Sequence, residues 1–104
     1  MAKFVYIYHG GEMPQTEEEG IKVMAEWEAW FGAMGAAVID GGAPVGMSST
    51  LHSDGSVTAD GGANPTSGYS LVSADNIDAA IELARGCPIL KAKGSIEVAE
   101  AMEM

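Results

Sequence analysis

Apolar positions recur along this chain in two rhythms, one of period two and one of three to four. Residues 3–9 (KFVYIYH) are β-branched and aromatic, the composition of a strand. Its two faces, Phe4/Tyr6/Tyr8 and Val5/Ile7/His9, are both largely apolar, so both need cover. Gly10, Gly11 and Pro14 end it. A helix is predicted over residues 16–34. Thr16 and Glu19 form a capping box, and Glu17 to Glu19 suit the positive N-terminus. Val23, Met24, Trp27, Trp30, Phe31 and Met34 make one wide stripe, and Gly35 supplies the C-cap. A second strand over residues 36–40 stops at Gly41, Gly42 and Pro44. Residues 50–52 and 56–58 flank Ser53-Asp54-Gly55, a hairpin signal, and residues 60–67 read as a polar loop. A short strand at residues 69–72 leads to a helix capped by Ser73 or Asp75. That helix carries Ile77, Ala80, Ile81 and Ala84 on one stripe and stops at Gly86, with Pro88 beyond. Ile96 and Val98 then alternate with Glu97, the period of a half-buried strand.

Two strand–helix–strand halves thus fill a single domain spanning residues 1–104. Helices from the chain can cover one face of the sheet, and the first strand is apolar on both. In a chain this short the simplest cover for the second face is another copy, so a homodimer is expected.

Composition narrows the function classes. With 47% hydrophobic and 19% charged residues the chain is globular rather than disordered. Its formal net charge of −10 repels phosphate backbones and anionic lipid, which argues against nucleic-acid and membrane partners. The single cysteine, Cys87, excludes an intrachain disulfide. The first residues lack the pattern of a signal peptide, and no apolar run approaches the roughly 18 residues needed to span a bilayer. A cytoplasmic location is the expectation.

Candidate chemistry centres on His9, which ends the first strand where strand termini are expected to face the cleft beneath the helices. It would act as a general base if a carboxylate oriented it. Asp40 and Asp60 also end strands, making His9, Asp40 and Asp60 the candidate catalytic set. The plainer alternative is a loop histidine with two turn-forming aspartates. Tyr8, Trp27 and Tyr69 are the candidates for lining a ligand pocket, although tyrosines on central strands and aromatic helical stripes usually serve packing. His52, beside the Asp54-Gly55 turn, reads as solvated. Cys87, just past a helix C-terminus, reads as a small buried hydrophobe. No His-x-x-x-His or Cys-x-x-Cys spacing suggests a metal. The glycine runs match neither a P-loop nor a dinucleotide fingerprint, so no cofactor is expected.

One long run carries a family resemblance. It comprises Val38-Ile-Asp-Gly-Gly-Ala-Pro44, the hairpin leading to Asp60-Gly61-Gly62, and Gly68-Tyr69. Ser73-Ala-Asp-Asn-Ile-Asp-Ala-Ala-Ile-Glu-Leu-Ala-Arg-Gly-Cys-Pro88 and Gly94-Ser-Ile-Glu-Val98 complete it. The run resembles the YCII-related family, in particular its DGPF-type branch, from Lys3 to Glu100. The resemblance implies a ferredoxin-like βαββαβ sandwich, α+β in class, with an antiparallel sheet, two helices on one face and pairing as a dimeric α/β barrel. It departs from the branch at Asp60-Gly61-Gly62-Ala63, where the eponymous motif is Asp-Gly-Pro-Phe. Enzyme-like members pair a histidine on the first helix with an aspartate near the end of the first strand. This helix has no histidine, so that dyad does not carry over. The readings that follow are a small-molecule-binding or acid–base enzyme-like dimer acting on a small organic ligand, a non-catalytic binding or interaction module, and, by fold analogy alone, a cofactor-independent monooxygenase or isomerase.

Overall fold

A computed structural model describes residues 1–103. Strand β1 (Ala2–His9) leads to helix α1 (Glu17–Met34), and β2 (Val38–Pro44) follows. Two short strands, β3 (Thr50–Leu51) and β4 (Val57–Thr58), form a hairpin arm. Then come β5 (Thr66–Ala74), helix α2 (Ile77–Ala84) and β6 (Ser95–Glu100). The main sheet runs β2-β5-β1-β6, with every pairing antiparallel. The two strand–helix–strand halves are therefore interleaved, each half placing a strand between the other's two. This is the ferredoxin-like α+β arrangement, with both helices on one face.

The face of each strand follows from alternation. Phe4, Tyr6 and Tyr8 point beneath the helices together with Ser70, Val72 and Ala74 of β5. Tyr6 is fixed to α2 by its hydroxyl, which donates to the Ala80 carbonyl. Trp30 of α1 donates its indole N–H to the Leu83 carbonyl at 2.9 Å, joining the two helices. Trp27, Trp30 and Phe31 pack on one another and on the sheet tyrosines. Trp27 meets Tyr8 edge-on at 5.1 Å between ring centroids, and Trp30 stacks on Tyr6 at 6.1 Å. These are favourable aromatic geometries that fill the helix–sheet layer.

Several local expectations shift. Thr16 caps α1 through the Glu19 amide, while Glu19 reaches back to the Gln15 amide. Met24 lies outside the helical stripe and is exposed next to Ile21. The cap of α2 is Asn76, whose side chain accepts from the Ala79 amide; neither Ser73 nor Asp75 takes that place. Strand β2 continues through Gly41 and Gly42 because it lies at a sheet edge, where two register shifts against β5 accommodate the glycines. Among the described residues no helix is long and apolar enough to cross a membrane.

Candidate functional site

Among the described residues, no helix or further strand covers the second face of the sheet. One row across it reads Ala43, Tyr69, Ile7, Glu97, and the next reads Asp40, Leu71, Val5, Ala99. At the end of β1 the pairing with β5 slips: Tyr8 faces Gly68 and His9 faces Thr66, leaving Ser67 as the extra residue of a bulge. The extra residue is in β5, and His9 keeps the face that alternation in β1 gives it, that of Val5 and Ile7. His9 does not enter the layer beneath the helices, as its strand-end position suggested. Its ring reaches Glu97, which belongs to the row of Ile7 on the opposite face.

His9 is buried, and both of its ring nitrogens meet oxygen. Nδ1 lies 3.2 Å from the Pro65 carbonyl, and Nε2 lies 3.0 Å from Glu97 Oε1. A carbonyl and an ionised carboxylate only accept, so satisfying both requires both nitrogens to donate, which is the imidazolium form. The Glu97 hydrogen bond, followed by the Pro65 carbonyl, raises the His9 pKa above the ordinary imidazole value, against the opposing effect of burial. The two ends of the ring differ in kind. Pro65 holds Nδ1 with backbone, whereas the Glu97 side chain is 64% exposed and replaceable.

Pro65 also borders a hollow at the root of the arm, whose walls include Met47, Ala59 and Pro65 and the polar Ser48, Asp60 and Thr66. Next in the chain to Thr66, the Ser67 hydroxyl is buried and has no hydrogen-bond partner among the described residues. Such an orphaned group is a natural place for a water or a ligand atom.

The residues singled out by sequence separate into three places. Asp60 is on the wall of the hollow, and its carboxylate accepts from the Gly62 amide at 3.0 Å. Asp40 is on the β2 edge, where it accepts from the Gly42 amide at 2.8 Å. Two strand spacings, about 10 Å, separate β2 from β1, and neither aspartate bonds His9. Tyr69 is on the open face opposite Ile7, partly exposed. Tyr8 and Trp27 pack in the helix–sheet layer. Tyr8 donates to Ser70 Oγ at 2.8 Å, and Ser70 donates to the Gly41 carbonyl at 2.7 Å. Burial raises the Tyr8 phenol well beyond its usual range and pushes Tyr6 up to about 12, so both stay neutral. His52 pairs with Thr58 Oγ1 on the arm. Among the described residues, no three His, Cys, Asp or Glu side chains converge as a metal would need.

In the sequence, Glu97 stands out only as the polar partner in a strand alternation. Its signal was faint: β6 pairs antiparallel with β1, and a carboxylate two residues out of register with a strand-end histidine shares its face.

The sequence matches no family model and no curated protein. Among solved structures, the chain is similar to 5-chloro-2-hydroxyhydroquinone dehydrochlorinase from Burkholderia phenoliruptrix AC1100, in complex with 2,5-dihydroxybenzoquinone. The likeness has a TM-score of 0.56 at 16% identity and covers 96% of this chain and 95% of the other. At that identity the likeness establishes one thing: this chain has the same fold as that protein over nearly its whole length.

Proposed function

We propose that this chain is a YCII-related protein of the DGPF-type branch, that it works as a homodimer, and that His9 with Glu97 performs acid–base chemistry on a small organic ligand held in the hollow at the arm's root. The observation that carries the reading is the doubly engaged His9 ring. As imidazolium it offers the Nε2 proton. A ligand oxyanion or carbanion that displaces the exposed Glu97 carboxylate takes that proton through its own lone pair. The ring is left neutral, with Nδ1–H still bonded to the Pro65 carbonyl, so Nε2 carries the lone pair and can accept a proton in the reverse direction. The backbone bond holds one tautomer through both steps, and Glu97 returns the proton from solvent. A His9 pKa raised above the ordinary imidazole value favours the proton-donating form. Ser48, Asp60 and Thr66 supply polar contacts for the ligand, and Met47, Ala59 and Pro65 its apolar ones. The fold neighbour's bound dihydroxybenzoquinone supports a small hydroxylated ring as the ligand class.

The homodimer is supported by the open sheet face, where Val5, Ile7 and Leu71 lie only half-buried with Tyr69 beside them. A face so apolar is stable in water when another sheet packs on it. A second reading, a dimeric binding module without catalysis, is favoured by the aromatic filling of the helix–sheet layer.

Isothermal titration with 2,5-dihydroxybenzoquinone as the probe tests the proposal. Binding by the wild type, weakened about tenfold or more in His9→Gln, is expected from the loss of a charged hydrogen bond. Equal affinity of the two proteins would remove His9 from the site, and no binding by either would remove this ligand class.

A further inference from the structure

The arm formed by β3 and β4 is a hairpin with two unlike sides. Thr50 pairs with Thr58 and Leu51 with Val57, and directly opposed residues share a face. The polar side is satisfied within the arm. Thr58 Oγ1 meets His52 Nε2 at 2.6 Å, and Thr50 Oγ1 donates to the Asp60 carbonyl at 2.6 Å. The turn is closed by the Gly55 amide on the His52 carbonyl and by Asp54, which accepts from both the amide and the hydroxyl of Ser56. The other side is bare, with Leu51 74% and Val57 65% exposed. No helix or further strand packs substantially on either arm strand. Two-stranded hairpins without such packing are marginal in water, yet this one is closed at the turn and amphipathic.

The shape of the protomer bears on what covers it. The chain is a slab of 43 × 42 × 18 Å. Its short dimension accommodates one sheet and one helix layer, so the arm prolongs the slab's plane instead of folding back over it. It leaves the main sheet between Pro44 and Thr66, at the His9 end. The accessible surface is 7132 Å², against about 5,500 Å² expected for a compact monomer of this mass. The excess, about 1,600 Å², exceeds the roughly 800 Å² per partner that a stable interface buries. Two apolar patches stand on a chain of net charge −10: the arm's Leu51/Val57 face, and the Val5/Ile7/Leu71 stretch of the sheet face, which Asp40 and Glu97 border. A partner of the same charge approaches most closely over apolar ground, and a second copy brings an apolar face to match each patch.

We infer that the arm clasps a second copy of this chain, Leu51 and Val57 packing against the partner while the sheets meet face to face. The inference rests on the homodimer proposed above. The ten residue-to-residue steps from Gly55 to Pro65 span up to about 33 Å when extended, well beyond the roughly 10 Å between stacked sheets. The clasp also bears on the ligand site. Met47 on the outgoing limb and Pro65 on the returning limb are walls of the hollow beside His9, so seating the arm on the partner fixes those walls.

Sedimentation velocity of the full chain over a concentration series tests the clasp, with Leu51→Asp and the milder Leu51→Ser as variants. The expected result is a dimeric wild type and a dissociation constant raised about tenfold or more by Leu51→Asp, with the near-ultraviolet dichroism of Trp27 and Trp30 retained. Should Leu51→Asp not fold, a smaller loss of the same sign in Leu51→Ser carries the test. A folded Leu51→Asp or Leu51→Ser that dimerises like the wild type overturns the clasp and leaves the homodimer standing. A monomeric wild type overturns the homodimer and the clasp with it.

Discussion

Replacing Ser70 with alanine probes how the edge strand is held. Ser70 is fully buried on β5 and receives the Tyr8 hydroxyl while donating to the Gly41 carbonyl. That second bond crosses to β2 where its pairing with β5 slips between Asp40 and Ala43. Ser70→Ala removes both bonds and leaves the Tyr8 hydroxyl, itself buried, without an acceptor; Gly41 is exposed and can turn to water. One orphaned buried donor costs about 1–3 kcal/mol, and a lost ordinary hydrogen bond about 1. The sum is about 2–4 kcal/mol, which lowers the Tm by about 10 °C or more in a domain of this size. Tyr8→Phe removes the same first bond but orphans no donor, so about 1 kcal/mol is expected. In the double variant the orphaned hydroxyl is gone, and its cost should fall about 1 kcal/mol or more short of the sum of the two single ones. Urea unfolding of the four proteins at one fixed protein concentration measures all three quantities. A Ser70→Ala cost no greater than that of Tyr8→Phe would refute the reasoning.

Three further outcomes follow from the same packing. Gly42 has φ of +72°, and a Cβ there would lie 1.7 Å from the Tyr69 carbonyl oxygen; Gly42→Ala should therefore cost about 3 kcal/mol or more, read by the same unfolding assay. Burial pushes the Cys87 thiol up to about 12, so the native protein should react with a disulfide reagent at neutral pH only at the rate at which it opens, and at full speed in denaturant. The raised pKa of His9 stabilises the fold fully below the ordinary imidazole value, and this contribution is lost as pH rises through the folded-state pKa. The stability difference between wild type and Glu97→Gln should accordingly be largest on the acid side of that window and vanish above it.

How much of this was legible beforehand differs from element to element. The order of strands and helices followed from two periods, and the capping residue Thr16 from its spacing to Glu19. The faces of β1 followed from strict alternation through His9, which shares the face of Val5 and Ile7. What alternation does not give is the bulge in β5, where Ser67 is one residue too many. That slip depends on pairing that adjacent sequence does not encode, and the same is true of the His9–Glu97 pair, whose members are far apart in the chain. Met24 fits a helical stripe as well as Trp27 does; only the position of the sheet separates the inner residue from the outer. Three neighbouring residues, Ser73, Asp75 and Asn76, can all cap a helix, and the end of β5 at Ala74 leaves that place to Asn76. Asp40 and Asp60 behave alike in sequence, each followed by two glycines. Only Asp60 shares a hollow with the carbonyl that holds His9.

The central claim is that His9 rests as an imidazolium between a backbone carbonyl and Glu97. Its most direct test is a pH titration of the ring nitrogens by nuclear magnetic resonance, in wild type and in Glu97→Gln. The account predicts that His9 titrates above the ordinary imidazole value, with both nitrogens protonated on the acid side of that titration. In Glu97→Gln the titration should move to lower pH, leaving a neutral ring with its proton on Nδ1. A wild-type ring that titrates at or below the ordinary imidazole value and is insensitive to Glu97→Gln would contradict the account.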